Sequence, residues 1–255
     1  MAKLLIGVVL IAAIIIGVVV IFPKKGEYDA PRPVNDSAFN DTSEQPPVKI
    51  KGIGVNLDYY NPETKMAGDV RFKGQDFDFK PSFEEFGIWR EPVGGFEGSF
   101  NPQPMWSVPK GTKVHALVDG FVKDVPKLYS GDYSVVVVTS MDSRWTYETE
   151  HVNNPIVKPG DFVKAGQVVA EASTANSNGD WAWFEIGIGR GTQNSWEKPK
   201  HVCPFAYLDD SIKEKTLKKI TALMTEWEKF ANKPNGYNQS KMPIPGCLTL
   251  DTVEG

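Results

Sequence analysis

Histidine and cysteine are scarce in this chain of 255 residues, which has three histidines, His115, His151 and His201, and two cysteines, Cys203 and Cys247. Two cysteines allow at most one intrachain disulfide, which would close a loop of 44 residues and would persist only outside a reducing cytoplasm; otherwise they are two partly buried thiols. His201 and Cys203 form a His-x-Cys pair, but joined to His151 they remain too few donors to argue for a metal site. An excess of basic residues is also lacking. The net charge is −4 and the pI near 5.5, so no basic face recommends nucleic acid as a partner. With 41% hydrophobic residues the chain is not poor enough in apolar side chains for disorder, and it can bury one good core and a small second one.

What is present begins with an apolar run of 19 residues, Leu4 to Phe22. At 1.5 Å per residue such a run crosses a hydrocarbon core about 30 Å thick. It exceeds a signal-peptide core, and no small-x-small cleavage site precedes Pro23-Lys24-Lys25, so residues 1–23 are expected to be a retained transmembrane anchor. Lysines flank it on both sides and leave its orientation to be decided by the domain that follows. Residues 24–47, rich in Pro, Asp, Asn and Ser, have the composition of a flexible linker.

From residue 48 the patterning is that of β-structure. Alternation in VKIKGIGVNLDYY, the turn-like NPETKMAGD and the following VRFK predict a hairpin, and Phe77, Phe79, Phe83, Phe86 and Trp89 predict an aromatic layer packing on a barrel, together residues 48–95. Two Val-rich units, Val108 to Val125 and Val157 to Val169, place glycines at their corners (Gly111 and Gly120; Gly160 and Gly166) and predict short strands joined by tight turns in a duplicated β-sandwich or barrel. Ser211 to Asn232 predicts an amphipathic helix, with Ser211 and Glu214 as its capping box, inside a C-terminal extension of residues 196–255.

Pro109 to Val114 with Asp119-Gly120, the V-x-x-G-D-x-V-x-x-G-Q-V run from Val157, and Gly179 to Ile186 together resemble the lysostaphin and LytM-type zinc metallopeptidases, endopeptidases of bacterial cell-wall cross-links. The resemblance implies a mainly β LytM-like sandwich or barrel over residues 96–195. A biotinyl or lipoyl-type hybrid domain, as in membrane-fusion adaptors, shares part of the glycine pattern and is the competing fold. In the resembled family a His and an Asp of an H-x-G-x-D or H-x-x-x-D motif and the second His of H-x-H hold one zinc. The first His of H-x-H and a separate His after a Tyr act on the water and the tetrahedral intermediate.

This sequence carries Trp181 and Trp183 where H-x-H stands, followed by the matching Phe184-Glu185-Ile186. For the first motif, one register places Phe96 and Phe100 around Gly98; the other, counted back from Pro109, places Asn101 and Met105. Only the separate histidine has a counterpart, His151, following Tyr147, which makes it the candidate catalytic residue. Indole offers no lone pair to a metal, so no cofactor is expected in place of the family's zinc. Two readings stay open: Trp181, Trp183, Phe96 and Phe100 fill the hole left by the metal, or they line an open groove that stacks on sugar or peptide, with Tyr147, Glu150, His151 and Glu185 at its polar edge. The functional expectation is a single-pass, extracytoplasmic, catalytically inactive peptidase-like domain that binds cell-wall glycan or peptide or regulates a cell-wall hydrolase. An active zinc endopeptidase and an envelope adaptor that contacts other envelope proteins are the alternatives.

Overall fold

The computed structural model describes residues 43–72, 82–92, 97–175, 177, 179–191 and 198–255. The apolar run 4–22, nearly all of the linker, Phe77, Phe79 and Phe96 lie outside these residues. No helix among the described residues is long and apolar enough to cross a membrane.

Three two-residue strands, β1 (Tyr60–Asn61), β2 (Met66–Ala67) and β3 (Val70–Arg71), form a small antiparallel meander. The alternation upstream of it does not become a strand. Ile53, Val55 and Leu57 point inward as a strand's residues would, but Gly54 takes φ +81° there, and a Cβ on it would strike the Phe184 ring. The segment therefore runs as an irregular strap, held to β8 by the His115 N–H donating to the Gly54 carbonyl at 3.0 Å and to the β2–β3 turn by the Asp69 N–H donating to the Asn56 carbonyl at 2.8 Å.

Next come β4 (Phe83–Glu84) and a separate hairpin of β5 (Trp89–Arg90) with β6 (Ser99–Phe100). Phe83 and Phe86 are fully buried, as the aromatic pattern predicts, whereas Trp89 is 45% exposed. Its place on a two-stranded hairpin outside the main sheet is what frees it from the core.

The main sheet is built from β7 (Met105–Pro109), β8 (Lys113–His115), β9 (Gly120–Asp124), β10 (Tyr133–Val138), β11 (Trp145–Asn153), β12 (Phe162–Val163), β13 (Val168–Ala172), β14 (Trp181–Arg190), β15 (Lys200–Val202) and, at the C-terminus, β16 (Val253–Glu254), with β4 along β7. The two Val-rich units do not close as local hairpins. Each hands its strands to the other: β8 pairs with β13 and β9 with β12, both antiparallel. This exchange lets Val114, Val122, Val163 and Val169 of both units share one core. The fold is thus mainly β, as expected.

The ten-residue β14 is the spine. β11 covers one edge, while β7 and β15 share the other. Side chains alternate across a strand, so Phe184, Ile186 and Ile188 enter the main core, while Trp181, Trp183 and Glu185 face the other way.

Helix α1 (Asp210–Phe230) packs Ile220, Leu223, Met224 and Trp227 into the same core. Its cap is not the expected Ser211. Asp209 sits one residue ahead of the helix, and its carboxylate accepts from the Ser211 N–H at 3.0 Å and from the Ser211 hydroxyl. A carboxylate at this position satisfies an otherwise orphaned donor and complements the helix dipole. Cys203 and Cys247 are joined, with Cα atoms 6.0 Å apart, tying the strand leading into the helix to the segment behind it.

Candidate functional site

The outward face of β14 carries the positions where the resembled family holds its metal, and its neighbours are fixed by register. On β7, Met105 stands opposite Glu185 and Ser107 opposite Trp183; on β11, Glu150 stands opposite Glu185. Met105, Trp181 and Trp183 pack together as an apolar cluster separate from the main core, at 0%, 9% and 5% exposure. Of the two registers for the first motif, the one ending at Met105 reaches this place. Phe100 lies instead on β6, 53% exposed, packed edge-to-face on Trp89 at 5.1 Å. Asn101 is fully buried and committed to backbone: its amide donates to the Glu85 carbonyl at 3.0 Å and accepts from the Gln103 N–H at 3.2 Å.

His151 reaches this cluster because β11 is irregular. Tyr133 pairs with Val152 but Val135 pairs with Thr149, so β11 spends one residue more than β10 between the two pairs. This is a β-bulge, a device that re-aims a side chain. His151 takes φ +56° there, and its ring lies 4.0 Å from that of Trp183, centroid to centroid. Its Nδ1–H donates to Asp132 at 3.0 Å, and the Ser130 hydroxyl donates to the same carboxylate. Burial works to raise the Asp132 carboxyl, but the hydrogen bonds from Ser130 and Ser173 and the His151 imidazole outweigh it and hold it below the ordinary aspartate range. The indole of Trp183 donates its Nε1–H to the Ala175 carbonyl at 2.8 Å.

Tyr147 does not belong to this face. It precedes the bulge on the core side of β11 and is 1% exposed, its hydroxyl donating to the Val48 carbonyl at 2.8 Å. Glu185 is on the face, yet it is a buried ion-pair partner rather than a groove edge: Arg90 reaches from β5 to bridge Glu84 and Glu185, the latter at 3.0 Å. Desolvation works to lower the Arg90 pKa, but the two carboxylates more than offset it and raise it. Among the described residues Glu150 has no such cation. Burial, then the charges of Glu148 and Glu185, push its carboxyl up to about 8 against a hydrogen bond with the Gln103 side chain. A Cβ on Gly187 would collide with the Gln103 amide, so that side chain lies directly over the strand.

Neither Arg90 nor Asp132 had a sequence signal. Arg90 is 95 residues from Glu185, and the Asp132–His151 contact exists only because of the bulge.

The family's zinc can be tested against this donor set. A catalytic zinc requires imidazole, carboxylate or thiolate donors converging from three side chains. In the register that reaches this face the ligand positions are Asn101, Met105 and Trp183, which hold an amide committed to backbone, a thioether and an indole, while Trp181 stands where the first His of H-x-H would act, and the Nδ1 of the nearby His151 is engaged by Asp132. The residues do not fit the metal. Among the described residues, no three His, Cys, Asp or Glu side chains are grouped to hold one elsewhere.

No curated protein matches the chain. Among solved structures, it is similar to a variant of the catalytic domain of the prophage-encoded M23 protein EnpA from Enterococcus faecalis, at 23% identity over 49% of this chain and 92% of that one, with a TM-score of 0.36. It is similar also to the catalytic domain of lysostaphin from Staphylococcus simulans (17% identity, 42% and 78% of the two chains, TM-score 0.35) and to Csd3 of Helicobacter pylori (13%, 82% and 47%, TM-score 0.40). The family model of peptidase family M23 matches residues 104–195, the stretch from β7 through β14 whose glycine and valine pattern carries the LytM resemblance. Over those residues, the chain carries a LytM-type domain of peptidase family M23.

Proposed function

We propose that this protein is a membrane-anchored, extracytoplasmic pseudopeptidase that binds cell-envelope glycan or peptide without cutting it. The observation that carries this reading is the Met105–Trp181–Trp183 cluster, which puts packed apolar side chains at two places where the family's chemistry needs metal donors, Met105 and Trp183, and at one where it needs a catalytic histidine, Trp181. The exposed Trp89–Phe100 pair supports the binding half of the reading. It stands on the hairpin whose Arg90 holds Glu185, and its two rings, 45% and 53% exposed, are open to stacking. The anchor rests on the apolar run 4–22. The extracytoplasmic side is supported by the Cys203–Cys247 bond, which belongs to an oxidising compartment.

The test has two arms. Zinc content is measured by elemental analysis on the full chain in detergent after metal loading and desalting, and co-sedimentation with purified cell-wall sacculi is compared with that of a Trp89→Ala variant. The reading expects substoichiometric zinc that is indifferent to His151→Ala, and sedimentation that weakens in the variant. One zinc per chain, lost with His151→Ala, would instead establish a working metallopeptidase. Failure to sediment while an envelope protein is captured would move the function to an adaptor or to the regulation of a hydrolase.

A further inference from the structure

Away from the β14 face, a cleft of about 620 Å³ opens between residues 51–58, the β8 end of the sheet and the first turns of α1. Its volume is that of a small-molecule site. Three lysines, Lys51, Lys215 and Lys219, line it against one acid, Asp58. Lys219 is spent on Asp58 at 3.1 Å and on the Leu57 carbonyl, and Lys51 pairs at 2.8 Å with Asp119, outside the lining. Lys215 has no salt-bridge partner among the described residues and is exposed.

The strap supplies the second observation. Residues 52–55 line the cleft, and among the described residues no acceptor engages the backbone N–H of Gly52, Ile53, Gly54 or Val55. Ile53 and Val55 are 6% and 8% exposed. Peptide donors that no acceptor in the fold engages, set beside ammonium groups, are the elements of an anion-binding concavity.

The donor types narrow the anion. No arginine lines the cleft, so the flat two-pronged recognition that favours carboxylates is missing, while lysine ammonium groups and peptide N–H groups are the usual cradle of a phosphate. Phosphate alone would leave most of the volume empty. Beside the strap the lining includes the apolar Ala116, next to β8, and Ile212, on α1, which can take an organic body.

We propose that this cleft binds a phosphate ester, its phosphate held by Lys215 and the 52–55 amides, with Lys51 beside them on Asp119, and its body lying against Ala116 and Ile212. The inference does not depend on the cleavage or glycan-binding state of the M23 face. It is tested by calorimetry on the full chain in a non-ionic detergent, titrated with glycerol 3-phosphate, with glycerol as the uncharged control, and in a second arm with the same micelles doped with phosphatidylglycerol. Saturable binding of glycerol 3-phosphate is expected, with glycerol silent and Kd raised about tenfold or more in Lys215→Glu, a surface change that leaves the circular dichroism spectrum unaltered. Lys51→Met should weaken binding in the same direction. Binding seen only with the doped micelles and lost in the same variants would also support the site and identify a lipid headgroup as the source of the phosphate. No binding to either probe, or binding that ignores both substitutions, would overturn the proposal.

Discussion

Replacing Trp183 by alanine separates a packed plug from an open groove. The indole is 5% exposed, lies tilted against the His151 ring at 4.0 Å between centroids, packs on Met105 and Trp181, and donates to the Ala175 carbonyl at 2.8 Å. Deleting a buried Trp or Phe typically costs about 3–5 kcal/mol, and the lost hydrogen bond adds about 1 kcal/mol. Incomplete burial of the cluster argues for the lower end, so the expected loss is about 3–4 kcal/mol in sum. Urea unfolding followed by tryptophan-independent far-UV dichroism measures it, as a lower midpoint with an unchanged slope. Trp181→Ala, with 9% exposure and the same neighbours, should cost somewhat less. Were Trp183→Ala to lose under about 1 kcal/mol, the indole would be a solvated platform, and the argument that apolar packing has taken the place of the metal would fail.

Three further outcomes follow from particular contacts. Because the Glu150 carboxyl lies at about 8 in the folded chain against an unfolded value near 4.5, the folded state holds the extra proton between those pH values, and stability falls as pH rises through that window. Glu85, raised to about 7 by burial, adds the same sign over a narrower range. Glu150→Gln should therefore flatten the decline in urea midpoint between pH 5 and pH 9 by up to a few kcal/mol, and parallel curves for the two proteins would refute the assignment. Removing the Cys203–Cys247 bond in the paired alanine variant releases a 44-residue loop and should cost about 4 kcal/mol by loop-closure entropy; an unshifted thermal midpoint would contradict it. Asp209→Ala should lose about 1 kcal/mol, where Ser211→Ala loses less, since the Asp209 carboxylate is the group that caps α1. Thermal unfolding of the two variants side by side decides between them.

How far the residues foretold this arrangement depends on the range of the interaction concerned. Glycines at turns, valines at period two and the apolar stripe of α1 are local signals. They led to a mainly β domain with one docked helix because each needs only its near neighbours to be read. The pairing of the two Val-rich units is not local, and the same limit hides it. Tight turns suggest that a strand pairs with the next one, whereas β8 takes β13 and β9 takes β12, a choice made by the shared core and invisible to a short window. At the site, the exchange of donors for indoles was legible residue by residue, but its consequence was not. Which first-motif register enters the cleft was decided by the pairing of Met105 with Glu185, and the place of Tyr147 by its falling before a bulge rather than after it. The bulge also turns His151 onto Trp183 and into the reach of Asp132, so the one histidine kept from the family pattern now braces the aromatic plug. The place of His151 on this face is thus accounted for by packing. Its hydrogen bond to Asp132 and its ring contact with Trp183 serve the stability of the blocked face, and neither requires a reaction to explain it.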